Sequence, residues 1–235
     1  MFNFLQKKPA HYISAIIPAA GQSRRMGDID KMFVELDDMP IIAHTLTAFE
    51  KCRQISEVVL VVPEEYIPDY VRLVGDYHFG KVAVITKGGE TRQQSVAMGI
   101  EHVNTRCEYI LVHDGARPFV AREVLEDCIR GAVSCGAATA AVPVKDTIKQ
   151  ADQDGFVAYT QPREQLYLTQ TPQAFEVDLY RDALNRASDD YTDDCQLVEA
   201  MGHKVLLTRG SYLNIKITMP EDLILAEGIY DHWED

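Results

Sequence analysis

The sequence is poor in cations, in paired cysteines and in long apolar runs, and each shortage removes a class of protein. Its 235 residues include 23 Lys plus Arg against 36 Asp plus Glu, a formal charge of −13. Broad nucleic-acid binding rests on many basic contacts to phosphates, so this balance excludes it, and any anionic ligand needs a local cluster of cations. No apolar run reaches the roughly 18 residues of a membrane span, and no membrane partner is expected. Five cysteines, Cys52, Cys107, Cys128, Cys135 and Cys195, form no close pair. That pattern fits neither a disulfide framework nor a zinc knuckle, and the reducing cytoplasm is the expected location. Cys195 follows Asp193 and Asp194, whose charge raises a thiol pKa, so it reads as inert. His44, His78, His102 and His203 lack a spacing such as H-x-x-x-H, and no protein metal ligand is assigned. The leading MFNFLQKKPAHY has no apolar signal core with a small-residue cleavage site and is read as a short frayed lead-in. The tail DHWED around Trp233 is expected to fray as well.

What remains is an ordinary globular composition, 46% hydrophobic and 25% charged. Nearly continuous apolar runs at Tyr12 to Pro18, Glu57 to Pro63, Lys81 to Thr86 and Glu108 to Asp114 predict buried strands, with weaker ones at Ala138 to Val144 and His203 to Thr208. Amphipathic stretches between them predict helices over Pro40 to Phe49, Thr91 to Val103, Ala121 to Ser134, Val177 to Ala187, Asp193 to Met201 and Pro220 to Tyr230. This alternation predicts an α/β fold, a mostly parallel twisted sheet with helices on both faces, in which ligands sit beyond the carboxyl ends of the strands. One segment breaks the rhythm. Asp146 to Arg163 holds two short alternating runs around Asp152-Gln153-Asp154-Gly155, a β-hairpin too polar for the core. A lone hairpin is marginal in water and needs something to lie against. The expectation is a single domain over 1–235 with residues 143–165 as a projecting β-arm for a homodimer.

The stretch with most chemistry follows the first strand: Pro18-Ala19-Ala20-Gly21-Gln22-Ser23-Arg24-Arg25-Met26-Gly27, with Lys31 shortly after. Small residues let a ligand approach the backbone, and exposed N–H groups of such a turn make an anion-binding concavity suited to a phosphate chain. Three cations on one loop stand out in so acidic a chain. The loop matches neither G-x-x-x-x-G-K-[ST] nor G-x-G-x-x-G, which excludes the P-loop and Rossmann dinucleotide readings.

PAAGQSRRMG with Lys31, GGETRQQSV (Gly88 to Val96), HDGARPF (His113 to Phe119), DTIK (Asp146 to Lys149), TQTPQAF (Thr169 to Phe175), TDD (Thr192 to Asp194) and NIKITMPEDL (Asn214 to Leu223) occur in that order along nearly the whole chain. Together they resemble the 2-C-methyl-D-erythritol 4-phosphate cytidylyltransferases of the non-mevalonate isoprenoid pathway. The resemblance implies a nucleotide-diphospho-sugar transferase-like fold. It also implies an enzyme that joins CTP to 2-C-methyl-D-erythritol 4-phosphate and releases pyrophosphate, with Mg2+ bound mainly through the CTP phosphates. Ribitol- or ribulose-5-phosphate cytidylyltransferases are the nearest alternative, and a non-catalytic sugar-nucleotide-binding protein is a rival from another class. Keeping Arg25, Lys31, Arg163 and Lys216 together speaks against a mere binder.

By the same resemblance, Arg25 and Lys31 are the catalytic cations that stabilise the triphosphate as pyrophosphate leaves, and Lys216 contacts the α-phosphate and the incoming phosphate. Arg163, on the arm, positions the acceptor in the partner subunit's site. Pro18, Ala19, Ala20 and Gly21 line the phosphate loop, while Gly89, Glu90, Ser95 and Gly115 match cytosine and ribose contacts. Asp114, Arg117, Thr147, Thr171 and Thr192 match acceptor-binding residues. Asp30-Lys31-Met32 stands where the family often has Pro-Lys-Gln, Glu90 where Asp is common, and Gly115 replaces a frequent alanine. A phosphate monoester with a second pKa near roughly 6 is already ionised at pH 7, so the attack needs positioning and cations rather than a general base.

Overall fold

The computed structural model describes residues 11–21 and 31–233, Lys31 by its backbone alone. In chain order the elements are β1 (Ile13–Pro18), β2 (Glu35–Leu36), β3 (Met39–Pro40), α1 (Ile41–Lys51), β4 (Glu57–Val62), α2 (Ile67–Asp76), β5 (Val82–Lys87), α3 (Arg92–Ile100), β6 (Tyr109–Val112), α4 (Arg122–Cys135), β7 (Ala137–Pro143), β8 (Lys149–Ala151), β9 (Val157–Thr160), β10 (Tyr167–Glu176), α5 (Val177–Arg186), α6 (Asp194–Ala200), β11 (Leu206–Arg209) and α7 (Pro220–Tyr230). A seven-stranded sheet runs β11-β7-β10-β6-β1-β4-β5. Only β10 runs antiparallel to its neighbours; the other pairings are parallel.

The central strands are apolar on both sides because both sides are covered. From β1 and β4, Ala15, Ile17, Val58 and Leu60 join a core with α1, α2 and α4, while Ile16, Val59 and Val61 turn the other way onto α3, α5 and α6. Such period-two alternation within a continuous apolar run marks a strand between two helical layers. A smaller cluster of Leu36, Ile41, Phe119, Ile217 and Ala226 seats α7.

Besides the short pair β2 and β3, the structure adds β10 and α2 to the sequence reading. Strand β10 lies in the centre of the sheet, although its sequence YLTQTPQAFE is polar and holds Pro172, features that argue against a central strand. It accommodates them by shifting register against β7 between Thr169 and Gln173. Helix α2 carries Pro68 in its first turn and buries Tyr70 and Leu73; its apolar residues Ile67, Tyr70, Val71 and Val74 recur at helical spacing, a signal present in the sequence that the sequence reading passed over. Tyr12 is fixed at the start of the first strand as expected, whereas the C-terminal end differs from expectation. Tyr12 donates its N–H to Glu108 and its hydroxyl to Glu57, and Trp233 packs on Phe119 with ring centroids 5.4 Å apart instead of fraying. Residues 1–10 and 234–235 lie outside the described chain.

The hairpin forms a separate two-stranded sheet, β8 with β9. Its turn is closed by Asp152, whose side chain accepts from the N–H groups of Asp154 and Phe156, and by Gly155 at φ +86, a left-handed conformation that favours glycine. Phe156 is 73% exposed, Val157 62% and Tyr159 52%. Among the described residues no helix is long and apolar enough to cross a membrane.

Candidate active site

Parallel strands β1, β4, β5 and β6 bring their carboxyl ends to one edge, where the loops that follow are tied together through the backbone. The N–H of Ala19 donates to the Val61 carbonyl at 2.7 Å, that of Gly88 to Val62 at 2.9 Å, and that of Gly115 to Pro18 at 3.2 Å. Small side chains make this approach possible: a Cβ on Gly88 would overlap the Cβ of Ala20, and one on Gly115 would stand 2.9 Å from the Ile42 side chain. The loop from Pro18 to Gly21 is thus pressed against both the glycine loop after β5 and the turn after β6. Residues 22–30, with Arg25, lie outside the described chain, and of Lys31 only its backbone is placed, at the start of a short 3-10 turn.

Beside this loop Asp114 gathers three cations. One carboxylate oxygen accepts from Arg92 Nε at 2.9 Å; the other meets Lys216 Nζ at 2.8 Å and Arg117 Nε at 3.6 Å. Burial by itself pushes the Asp114 carboxyl up, yet Arg92, Lys216 and Arg117 outweigh it and hold the group well below the usual carboxylate range. Arg92 reaches further with its other arm, from Nη1 to Asp194 at 2.6 Å. Burial disfavours its charge, but Asp194 and Asp114 overcome that and raise its pKa. Arg117 also donates to the Asn214 carbonyl at 2.7 Å, and the N–H of Ile217 donates to Ala116, so the segment bearing Lys216 is anchored to the turn bearing Asp114.

A second chain of hydrogen bonds fixes the same turn from below. His113 is fully buried, with Nε2 3.1 Å from the Arg117 carbonyl and Nδ1 3.2 Å from the Thr171 hydroxyl. A carbonyl only accepts, so Nε2 carries the proton and Nδ1 accepts from Thr171. The Thr171 oxygen in turn accepts the Asp114 N–H at 3.0 Å. Burial is the main reason the His113 pKa falls to about 4, so at neutral pH the ring is a neutral strut.

The structure therefore brings together Pro18, Ala19, Gly115, Asp114, Arg117, Thr171 and Lys216 around one edge. Thr171 is 4% exposed and spends its proton on His113. Ser95 is buried, with its hydroxyl between the Gly89 N–H and the Thr91 carbonyl, while Glu90 is exposed with its N–H on Gln94. Thr192 is exposed just before α6. Thr147 and Arg163 sit at the base of the arm, where Arg163 donates to the Lys145 carbonyl at 2.6 Å and shares no described ion pair with the Asp114 cluster. Sequence reasoning missed Arg92, Asp194 and Tyr180. The first two lie inside segments it singled out, and a lone arginine beside a glycine loop was a usable signal; nothing local marked Tyr180. Cys195 is buried, and burial first, then Asp193, raises its thiol.

A small-residue turn after β1 and fixed cations at the carboxyl edge of an α/β sheet are the features of a nucleotidyltransferase-type site. The sequence model of the 2-C-methyl-D-erythritol 4-phosphate cytidylyltransferase family matches residues 13–232. A protein of that name from Dehalococcoides mccartyi is 45% identical over 224 residues, covering 95% of this chain and 96% of its own. One from Bacillus anthracis is 46% identical over 216 residues, covering 90% and 95%. The structure of 4-diphosphocytidyl-2C-methyl-D-erythritol synthase from Anaerococcus prevotii aligns with a TM-score of 0.84 at 30% identity over 94% of this chain and 99% of that one. That of 2-C-methyl-D-erythritol 4-phosphate cytidylyltransferase from Thermus thermophilus aligns at 0.76 with 34% identity and the same coverage. The chain belongs to the 2-C-methyl-D-erythritol 4-phosphate cytidylyltransferase family.

Proposed function

We propose that this protein transfers the cytidylyl group of CTP to 2-C-methyl-D-erythritol 4-phosphate, giving 4-diphosphocytidyl-2-C-methyl-D-erythritol and pyrophosphate. The observation that carries the reading is the cation cluster on Asp114 beside the small-residue loop, in a chain whose overall charge is −13. The acceptor phosphate attacks the α-phosphorus in line. Lys216, anchored by Asp114, draws the two phosphates together, and Asp114 and Arg117 hold the acceptor's polar groups. The backbone N–H groups of Ala20 and Gly21 cradle the triphosphate, with Pro18 and Ala19 lining its approach, and Arg25 and Lys31 take up charge as pyrophosphate departs. Gly89, Glu90, Ser95 and Gly115 receive the base and ribose; Thr147 and Thr192 complete the acceptor site, and the buried Thr171 serves it by holding the Asp114 turn in place. His113 takes no part as a base.

Bound together with CTP, a Mg2+ ion would supply charge neutralisation for the triphosphate. Both Asp114 oxygens are already engaged with cations, a donor set that suits an ion held mainly by CTP and its waters. The exposed apolar residues Phe156, Val157 and Tyr159 support an arm that docks on a second copy and carries Arg163 into that copy's site. The five free thiols support a reducing, cytoplasmic location. Pyrophosphate release from CTP and Mg2+ is the test, with methylerythritol phosphate, ribitol 5-phosphate and ribulose 5-phosphate as acceptors. Selective release with the first is expected. Release with a pentose or pentitol phosphate would keep the mechanism and replace the acceptor, and silence with all three would overturn the assignment.

A further inference from the structure

A buried relay extends from Asp114 away from the ligand-facing edge. Arg92 is a fork between two carboxylates on different elements, Asp114 after β6 and Asp194 at the first position of α6. The remaining Asp194 oxygen accepts from the Tyr180 hydroxyl of α5 at 2.6 Å. Asp194 is 1% exposed and Tyr180 fully buried, and neither lies on a loop that lines the triphosphate or base. A carboxylate placed this deep is costly to desolvate, and apolar residues of similar volume would serve the packing of α5 on α6 equally well or better. Its position is explained by what it does to Arg92. With one arm pinned by Asp194, Arg92 saturates one oxygen of Asp114 and leaves the other to Lys216 and Arg117.

We propose that Asp194 and Tyr180 are positioning residues for the transfer reaction: acting through Arg92, they fix which face and oxygen of Asp114 is offered to Lys216 and Arg117, and so set the geometry of the acceptor-phosphate site. Three cations, Arg92, Arg117 and Lys216, against two carboxylates, Asp114 and Asp194, leave one net positive charge in this network. The idea rests on the reading that the acceptor binds at Asp114, Arg117 and Lys216. It adds that the precision of this site is built into the packing of two helices that do not touch substrate. Displacement of reacting groups by about 1 Å costs on the order of a hundredfold in rate, so small losses of register are measurable.

Steady-state kinetics of Tyr180→Phe and Asp194→Asn, varying each substrate at saturating levels of the other, test the proposal, with Asp114→Asn run in parallel. Tyr180→Phe removes one hydroxyl and no charge; circular dichroism and urea unfolding establish its folded fraction. The expected result is a severalfold rise in the KM for methylerythritol phosphate with Tyr180→Phe and about tenfold or more with Asp194→Asn, while the KM for CTP stays within about twofold. A merely structural role would lower kcat in proportion to the folded fraction and leave both KM values alone, and that outcome overturns the relay. Wild-type kinetics in folded Tyr180→Phe and Asp194→Asn, beside an impaired Asp114→Asn, would overturn it too. An Asp114→Asn protein with an unchanged KM for the acceptor would instead refute the site reading underneath.

Discussion

Replacing His113 by glutamine should flatten the dependence of stability on pH, by an amount that follows from the burial of one ring. In the folded protein the imidazole lies fully buried against Phe49, with its Nε2–H on the Arg117 carbonyl and Nδ1 accepting from Thr171. Burial holds its pKa at about 4 against an ordinary 6.5. As pH falls, the unfolded chain therefore takes up this proton first, and between those two values it binds more protons than the native state. Stability rises with pH wherever that holds. The contribution is complete above pH 6.5, has fallen by about 2 kcal/mol at pH 5, and is lost by roughly pH 4, a total of about 3 kcal/mol. For a chain of this size about 3 kcal/mol corresponds to some 6–12 °C in melting temperature. Glutamine keeps a donor near the Nε2 position but does not titrate. Urea unfolding of both proteins from pH 4.5 to 7.5 isolates the effect, because the carboxylates common to both cancel in the difference. The difference should shrink by about 2.5 kcal/mol from pH 7.5 to pH 4.5. Parallel curves would refute the claim that His113 is held neutral by burial.

Asp114→Asn leaves three cations around a neutral amide, and should lower stability by about 3 kcal/mol in urea titrations near pH 7. Because its carboxyl sits well below the ordinary range in the fold, the stability due to its charge is present above about pH 4 and is lost only below it, so the mutant and wild type should converge only in strong acid. Arg25→Ala and Lys31→Ala should each cut kcat by on the order of a hundredfold, as loss of a transition-state donor does; near-normal turnover in both would remove the electrostatic account of pyrophosphate departure. Arg163→Ala should weaken use of the acceptor roughly tenfold with CTP affinity intact by calorimetry, in line with loss of a charged hydrogen bond. Equal loss of both substrates would argue against the arm reaching a site. In sedimentation experiments the protein should run as a dimer, and Phe156→Asp with Tyr159→Asp should shift it toward monomer.

Much of this protein is written locally. The runs of β1 and β4 are apolar at nearly every position, Ser14 and Glu57 apart, because both faces of the sheet are covered, so their class and their place in the sheet follow from the string itself. The small-residue loop Pro18 to Gly21 and the cations after it were legible because they are properties of neighbouring positions, whereas the HDGARPF turn and Lys216 were singled out by the family resemblance. The alternation of the arm and its glycine turn were legible for the same reason. Only the tertiary structure could decide the rest. Strand β10 sits in the sheet despite Pro172 because two flanking strands supply its pairing, a long-range gain that outweighs a poor local propensity. Arg92 meets Asp194 across 102 positions and Asp114 meets Thr171 across 57. No local pattern records such partners, because the energy of a buried charge depends on which opposite charges the fold delivers within a few ångströms, and that is fixed by packing rather than by sequence spacing.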